Sequence, residues 1–218
     1  MTAPPMAPGA GTARLPGLVQ LSVSRAVIEL KQFFRASDAV FFTFLLPVLF
    51  VVIFSTVFDE DIEGPPGVEP VPFSQYFVSG MIAAGVMATS FTSLATSISN
   101  EQYNGLLKRL GGTPLPKTAY FAGKIVLALV TSLLQAAIIL GIGIAFFGMS
   151  LPSEPEMWGL FAMVFVLGVA SCSLLGIAYT RLIRNANSAA AVVQPPYLVL
   201  QFISGVFFVY NEVPAYLR

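Results

Sequence analysis

Residues 125–147 read IVLALVTSLLQAAIILGIGIAFF, with no acid, lysine or arginine among them. A helix of about twenty apolar residues spans the hydrocarbon of a bilayer, so this stretch is long enough to cross it. Four more runs of the same kind divide the chain: Ala39–Phe58, Tyr76–Ile98, Met157–Tyr179 and Ala189–Tyr210. Continuous helix suits each of them, because a backbone group left unpaired in lipid finds no water. Working outward, the chain is 56% hydrophobic and 10% charged, far below the roughly one quarter charged residues of soluble domains. The reading is an all-α polytopic transmembrane helical bundle of five spans.

The gaps between the runs carry the orientation. Ten of the eleven basic residues (Arg14, Arg25, Lys31, Arg35, Lys108, Arg109, Lys117, Lys124, Arg181 and Arg184) fall in alternate gaps, and only Arg218 falls on the other side. Asp59, Glu60, Asp61, Glu63, Glu69, Glu154, Glu156 and Glu212 show the opposite bias, against Glu29, Asp38 and Glu101 on the basic side. The zero net charge thus divides into about +7 and −7, and the excess of Lys and Arg places the basic side and the N-terminus in the cytoplasm. Residues 1–17, rich in Pro, Ala and Gly and without the basic leader and apolar centre of a signal peptide, read as a flexible tail. Residues 18–218 form one membrane domain.

Local patterns refine the spans. Asp38 is placed to cap the first helix, Pro47 to kink it, and Pro195 and Pro196 to interrupt the start of the fifth. Small residues recur every fourth position as Gly80, Ala84, Ala88, Thr92 and Thr96, as Ala137, Gly141 and Ala145, and as Gly168, Cys172 and Gly176, faces that admit a close neighbour. Before the first span, Val19, Val23, Ala26, Val27, Leu30, Phe33 and Phe34 share one side of a helix, while Ser22, Ser24, Arg25, Glu29, Lys31, Gln32 and Arg35 take the rest. Leu18–Arg35 therefore reads as an amphipathic helix in the inner interface, its bases near anionic headgroups, or as a helix packed on a soluble partner.

Several chemistries are excluded. The chain has no histidine, hence no imidazole base and no histidine-rich metal site. Cys172 is alone and can form no intrachain disulfide. No span holds a charged residue in its interior; Lys124 stands at an edge from which it can snorkel, and Gln135, Gln194 and Gln201 are the polar groups within. This argues against ion coupling. Ser79 and Ser204 precede glycines without a histidine or a lysine on their side, a poor serine protease. The run Asp59, Glu60, Asp61, Glu63 lacks the spacing of a calcium loop. With no phosphate-binding Gly-rich loop, any ATP-driven work needs a partner.

The segment between the second and third spans, SNEQYNGLLKRLGGTPLPK from Ser99 to Lys117, is too polar for a span and too patterned for a linker. Leu106, Leu107 and Leu110 predict an apolar ridge on a short helix, with Glu101 and Lys108 exposed and Gly111, Gly112 and Pro114 ending it. Here the chain resembles the membrane subunits of ATP-binding-cassette exporters of type 2, in particular the bacterial daunorubicin-resistance-like permeases. The residues that carry it are Glu101, Gly105, Leu106, Leu107, Lys108, Arg109, Leu110, Thr113 and Pro114, with Lys108 standing where the family often has an acid. The interfacial helix, Pro47, and the run Phe202, Ile203, Ser204, Gly205, Val206, Phe207, Phe208 followed by Pro214 extend it over nearly the whole chain.

The resemblance implies a half-transporter without enzymatic activity of its own, in a bacterial plasma membrane. Two permeases pair, as homodimer or heterodimer, each resting on a cytoplasmic ATPase that holds the ATP and magnesium. It implies coupling to that ATPase through Glu101, Gly105, Leu106, Leu107, Arg109, Leu110 and Pro114. It also implies a cavity or exit plug at Met87, Phe91, Phe202, Val206 and Phe207, suited to efflux of a hydrophobic or amphipathic solute, drug-like or lipid-like, as in multidrug resistance. The family has six spans, so a sixth is expected beyond Arg218, and Asn211–Arg218 reads as the external turn before it. The rival reading is a non-transporting membrane scaffold whose basic face recruits a cytoplasmic partner; neither needs nucleic acid. From the charge bias, a periplasm-dependent reporter fused at Pro66 is expected to be active and one at Gly112 silent; the inverse pattern in cells would reverse the topology.

Overall fold

The computed structural model describes residues 17–58, 61–62, 70–113, 115–204 and 206. In chain order the elements are α1 (Leu18–Arg35), α2 (Ser37–Val57), the paired dipeptides β1 (Asp61–Ile62) and β2 (Val71–Pro72), α3 (Phe73–Met87), a π-helical turn (Ala88–Ser93), α4 (Leu94–Tyr103), α5 (Leu106–Gly111), α6 (Lys117–Phe147), α7 (Pro155–Tyr179) and α8 (Ala189–Ile203). The molecule is an all-α membrane bundle in which the two-residue ladder only ties one loop. Among the described residues four helices are long and apolar enough to cross a membrane: 37–57, 73–103, 117–147 and 155–182. The fifth run forms α8, and its remainder is undescribed apart from Ser204 and Val206. The tail before Gly17, the acids Asp59, Glu60 and Glu63, and Asn211–Arg218 lie outside the described residues.

The second and third spans outlast their apolar runs. The second continues through α4 to Tyr103 and the third begins at Lys117, so the polar segment between them is largely the overhang of two membrane helices. Their residues form the core: 61% of the second span's apolar window is buried, against 11% of α2. Phe77, Val78, Met81 and Ile82 of α3 meet Ala128, Ala136 and Ile139 of α6 and Phe165 and Val169 of α7. A smaller cluster joins Phe91 and Ala95 to Ile183, Ala189 and Val193 of the fourth-to-fifth-span region. At the far end, Phe54 of α2 stacks on Phe77 at 5.1 Å and Phe58 meets Phe73 at 5.2 Å. Such ring pairs add to plain burial and hold the otherwise lipid-facing α2 on α3.

Four expectations about local structure are corrected. α2 begins at Ser37 with Ala36 as its cap and no side-chain capping bond, so Asp38 lies in the first turn, where its charge complements the helix dipole. α8 runs through Pro195 and Pro196 as helix from Ala189 to Ile203. The stripe Ala137, Gly141 and Ala145 faces outward; α6 packs through Ala128, Ser132, Gln135, Ala136, Ile139 and Gly143 instead. The polar side of α1 is turned inward at Arg25 and Glu29, which are buried with Ala26, whereas Val19, Val23, Val27 and Phe34 are exposed.

Close approach is concentrated at a few glycines. A Cβ on Gly176 would stand 2.9 Å from the carbonyl oxygen of Phe91 and 3.1 Å from that of Ser90, so α7 rests directly on the backbone of the π turn. Gly141, by contrast, has nothing within 4 Å. Gly176→Ala is therefore expected to lower the stability of the solubilised protein by about 1–3 kcal/mol, since backbone cannot yield as a side chain can. Gly141→Ala is expected to be neutral or slightly stabilising through helix propensity. Thermal unfolding of both variants in detergent checks the pair.

Candidate functional site

Where α1 crosses the start of α6 beside α4, four charged side chains meet out of water. α6 contributes Lys124, 1% exposed; α1 contributes Arg25 and Glu29, the latter 3% exposed; α4 contributes Glu101. Lys124 Nζ donates to Glu29 Oε2 at 2.8 Å, to Ser97 Oγ at 2.9 Å and to Glu101 Oε1. An ammonium has three N–H groups, and all three are spent here. Arg25 pairs with Glu29 one turn along α1, and its Nη2 stands 3.6 Å from Glu101 Oε2. The Tyr120 hydroxyl donates to Glu101 Oε2 at 2.7 Å, while the Arg25 guanidinium carbon lies 5.2 Å from the centre of the Tyr120 ring.

The local sequence accounts for the meeting. Arg25 and Glu29 are four apart on α1 and Tyr120 and Lys124 four apart on α6, so each pair shares a face. Gly123 removes the obstacle between the helices: a Cβ there would stand 2.7 Å from Arg25 Cγ and 3.2 Å from the Ala26 amide nitrogen. Two positive and two negative groups sum to zero, the condition under which buried charges are tolerated. The network thereby fastens α1, α4 and α6 to one another at one end of the bundle. The snorkelling expected of Lys124 does not occur, because partners inside the protein outbid the interface. Glu101 is likewise tied into the bundle rather than exposed, whereas Lys108 is exposed as expected.

The network connects directly to the predicted handle. Two residues past Glu101, α4 ends at Tyr103, whose hydroxyl donates to the Ile183 carbonyl at 2.7 Å and so links α4 to the connection after α7. Gly105 turns the chain with φ of +75°, a conformation glycine adopts without strain. α5 follows, with Leu106, Leu107 and Leu110 half-buried and Lys108 and Arg109 exposed. Pro114 lies outside the described residues. On the other side, α4 is continuous with the π turn, a rare geometry found mostly as single turns within α-helices and often at functional sites.

Of the residues expected to line a cavity or plug, four are described. Phe91 is buried against Tyr179, with ring centres 5.4 Å apart, and Met87 packs on the same cluster. Phe202 is half exposed on α8, Val206 is buried against Gly80, and Phe207 lies outside the described residues. Arg25, Glu29, Ser97, Tyr120 and Lys124 were not singled out by sequence reasoning as a site. The usable signal was the placement of Lys124 at the very start of an apolar run, next to Gly123, with as many acids as bases among Arg25, Glu29, Glu101 and Lys124.

The family model of the ABC-2 type transporter matches residues 22–218. No curated protein and no solved structure matches the chain.

Removing one partner leaves the others buried and uncompensated. Lys124→Met strands Glu29 and Glu101 and is expected to cost about 3–5 kcal/mol. Lys117→Met, at an exposed position of the same helix, should stay within about 0.5 kcal/mol. Detergent unfolding curves of the two variants measure the difference.

Proposed function

Because the chain belongs to the ABC-2 type transporter family and is thus a membrane permease subunit of an ABC transporter, we propose that it serves an ATP-driven exporter of the daunorubicin-resistance-like kind. The cargo is a hydrophobic or amphipathic solute, drug-like or lipid-like, leaving a bacterial cell across the plasma membrane. The N-terminus and the α4–α5 turn face the cytoplasm, as the distribution of basic residues requires. A separate ATPase binds ATP and magnesium, and a second permease, identical or not, completes the pathway. Val206 and Phe207 form part of the exit.

The observation that carries this reading is the buried network that joins α4 to α1 and α6 two residues before the chain turns into α5. A short helix on a polar overhang, with Leu106, Leu107 and Leu110 along it and Lys108 and Arg109 outward, is a suitable handle for a soluble subunit. A push on α5 then reaches three helices through paired charges that cannot separate cheaply. ATP acts by favouring one arrangement of the spans over another, which is allostery in the thermodynamic sense.

Leu107→Asp tests the handle without touching the network. Co-reconstituted with the ATPase encoded beside it, the variant is expected to lose most cargo-stimulated hydrolysis and transport while inserting and melting as the parent does. Unchanged hydrolysis would remove α5 as the transmission element. An ATPase that neither binds the parent permease nor is stimulated by cargo would favour a recruiting scaffold.

A further inference from the structure

Beside the charged network lies a partly open cavity of about 220 Å³ between α1, α2, α4 and α6. Glu29, Glu101 and Lys124 form part of its wall, together with Ser97, Thr89 and Thr131. The acceptors on this wall bear on what it can hold. The three N–H groups of Lys124 are committed to Glu29, Ser97 and Glu101. The Thr89 hydroxyl donates to the carbonyls of Gly85 and Val86, and that of Thr131 to Leu127. The two threonine hydroxyls have thus used their hydrogens and keep oxygen lone pairs, as do both carboxylates, while the Ser97 hydroxyl accepts from Lys124 and keeps its own hydrogen. The wall thus offers acceptors, and its one ammonium is saturated. A cation with N–H groups finds several acceptors there.

Size and position narrow the ligand further. The volume is below the roughly 300–1,000 Å³ of sites that enclose drug-sized molecules, so the cavity admits a head and not a whole amphiphile. Gln32, Ala36 and Ala39 at the α1–α2 turn and Ser93 of the π turn line it and are exposed, marking its mouth. Next to that mouth Phe41 and Phe42 of α2 face outward, 55% and 63% exposed. Lys124 directly precedes the apolar run of the third span, so the cavity lies at the boundary between hydrocarbon and headgroups.

We propose that this cavity is a binding site for the primary ammonium head of an amphiphile, held by the acceptor oxygens of Glu29, Glu101, Thr89 and Thr131 while its chain runs out along α2. An ethanolamine phospholipid and a free alkylamine share this chemistry. The site belongs to a single copy of the chain and does not rest on the transport reading.

The full chain in nanodiscs of equal ethanolamine and choline phospholipids with identical acyl chains, released for native mass spectrometry, tests the proposal. A quaternary choline nitrogen has no N–H to donate, so the ethanolamine lipid should be retained about tenfold over the choline lipid, the worth of one charge-assisted hydrogen bond. Thr131→Val, similar in shape but without the acceptor, should reduce that preference. Ala39→Phe, at the exposed mouth, should abolish it without changing the melting temperature. Saturable binding of dodecylammonium to the parent and not to Ala39→Phe would support the same site with a free amine as occupant. Equal retention of the two lipids with no saturable dodecylammonium binding would overturn the proposal, as would an ethanolamine preference unchanged in both variants.

Discussion

A charge without a partner has no stable place inside a membrane protein, and this requirement organises one whole end of the bundle. Lys124 stands at the start of an apolar helical run, and the structure provides for it with two carboxylates and a hydroxyl from α1 and α4. Arg25 then balances the second negative charge. Continuum arguments make such clusters weak contributors to net stability, yet removing any member is costly. The consequence is geometric: α1 is held on α6 through Arg25, Ala26 and Glu29, Val19, Val23, Val27 and Phe34 stay exposed, and Gly123 supplies the clearance.

The remainder of the bundle is assembled by a different force. Helices in lipid gain nothing from hiding apolar surface from water, so close contact and small residues decide which faces meet. Gly176 against the carbonyls of Ser90 and Phe91 is the tightest example across spans two and four. Gly85 against the Gln135 amide, 2.8 Å from a would-be Cβ, does the same for spans two and three. Both lie on or next to the π turn. The second span is thus clamped by its neighbours where its own hydrogen bonding is least regular, and anchored by charge where it leaves the membrane.

These two regions lie in series along one helix. A subunit of the ABC-2 type transporter family works with an ATPase, and in this chain the π turn, Glu101 of the ionic network and α5 follow one another along the second span and just beyond it. The cavity beside the network is part of the same construction, because Glu29, Glu101 and Lys124 form one part of its wall.

Composition and periodicity alone established an all-α membrane bundle and the position of its apolar runs, because hydrocarbon thickness and backbone hydrogen bonding dictate these, and they pointed to a short helix bearing Leu106, Leu107 and Leu110, though not to Glu101 belonging to the helix before it. The motif from Glu101 to Pro114 was also legible, and with it the family. Other features were decided only by which surfaces came together. Whether Lys124 snorkels or turns inward depends on carboxylates 23 and 95 residues away. Which small-residue stripe packs depends on the neighbour: Gly176 found one and Gly141 did not. Leu18–Arg35 announced two faces, but not that Arg25 and Glu29 of the charged one would be buried, since amphipathicity gives the faces of a helix and the partner chooses what it covers.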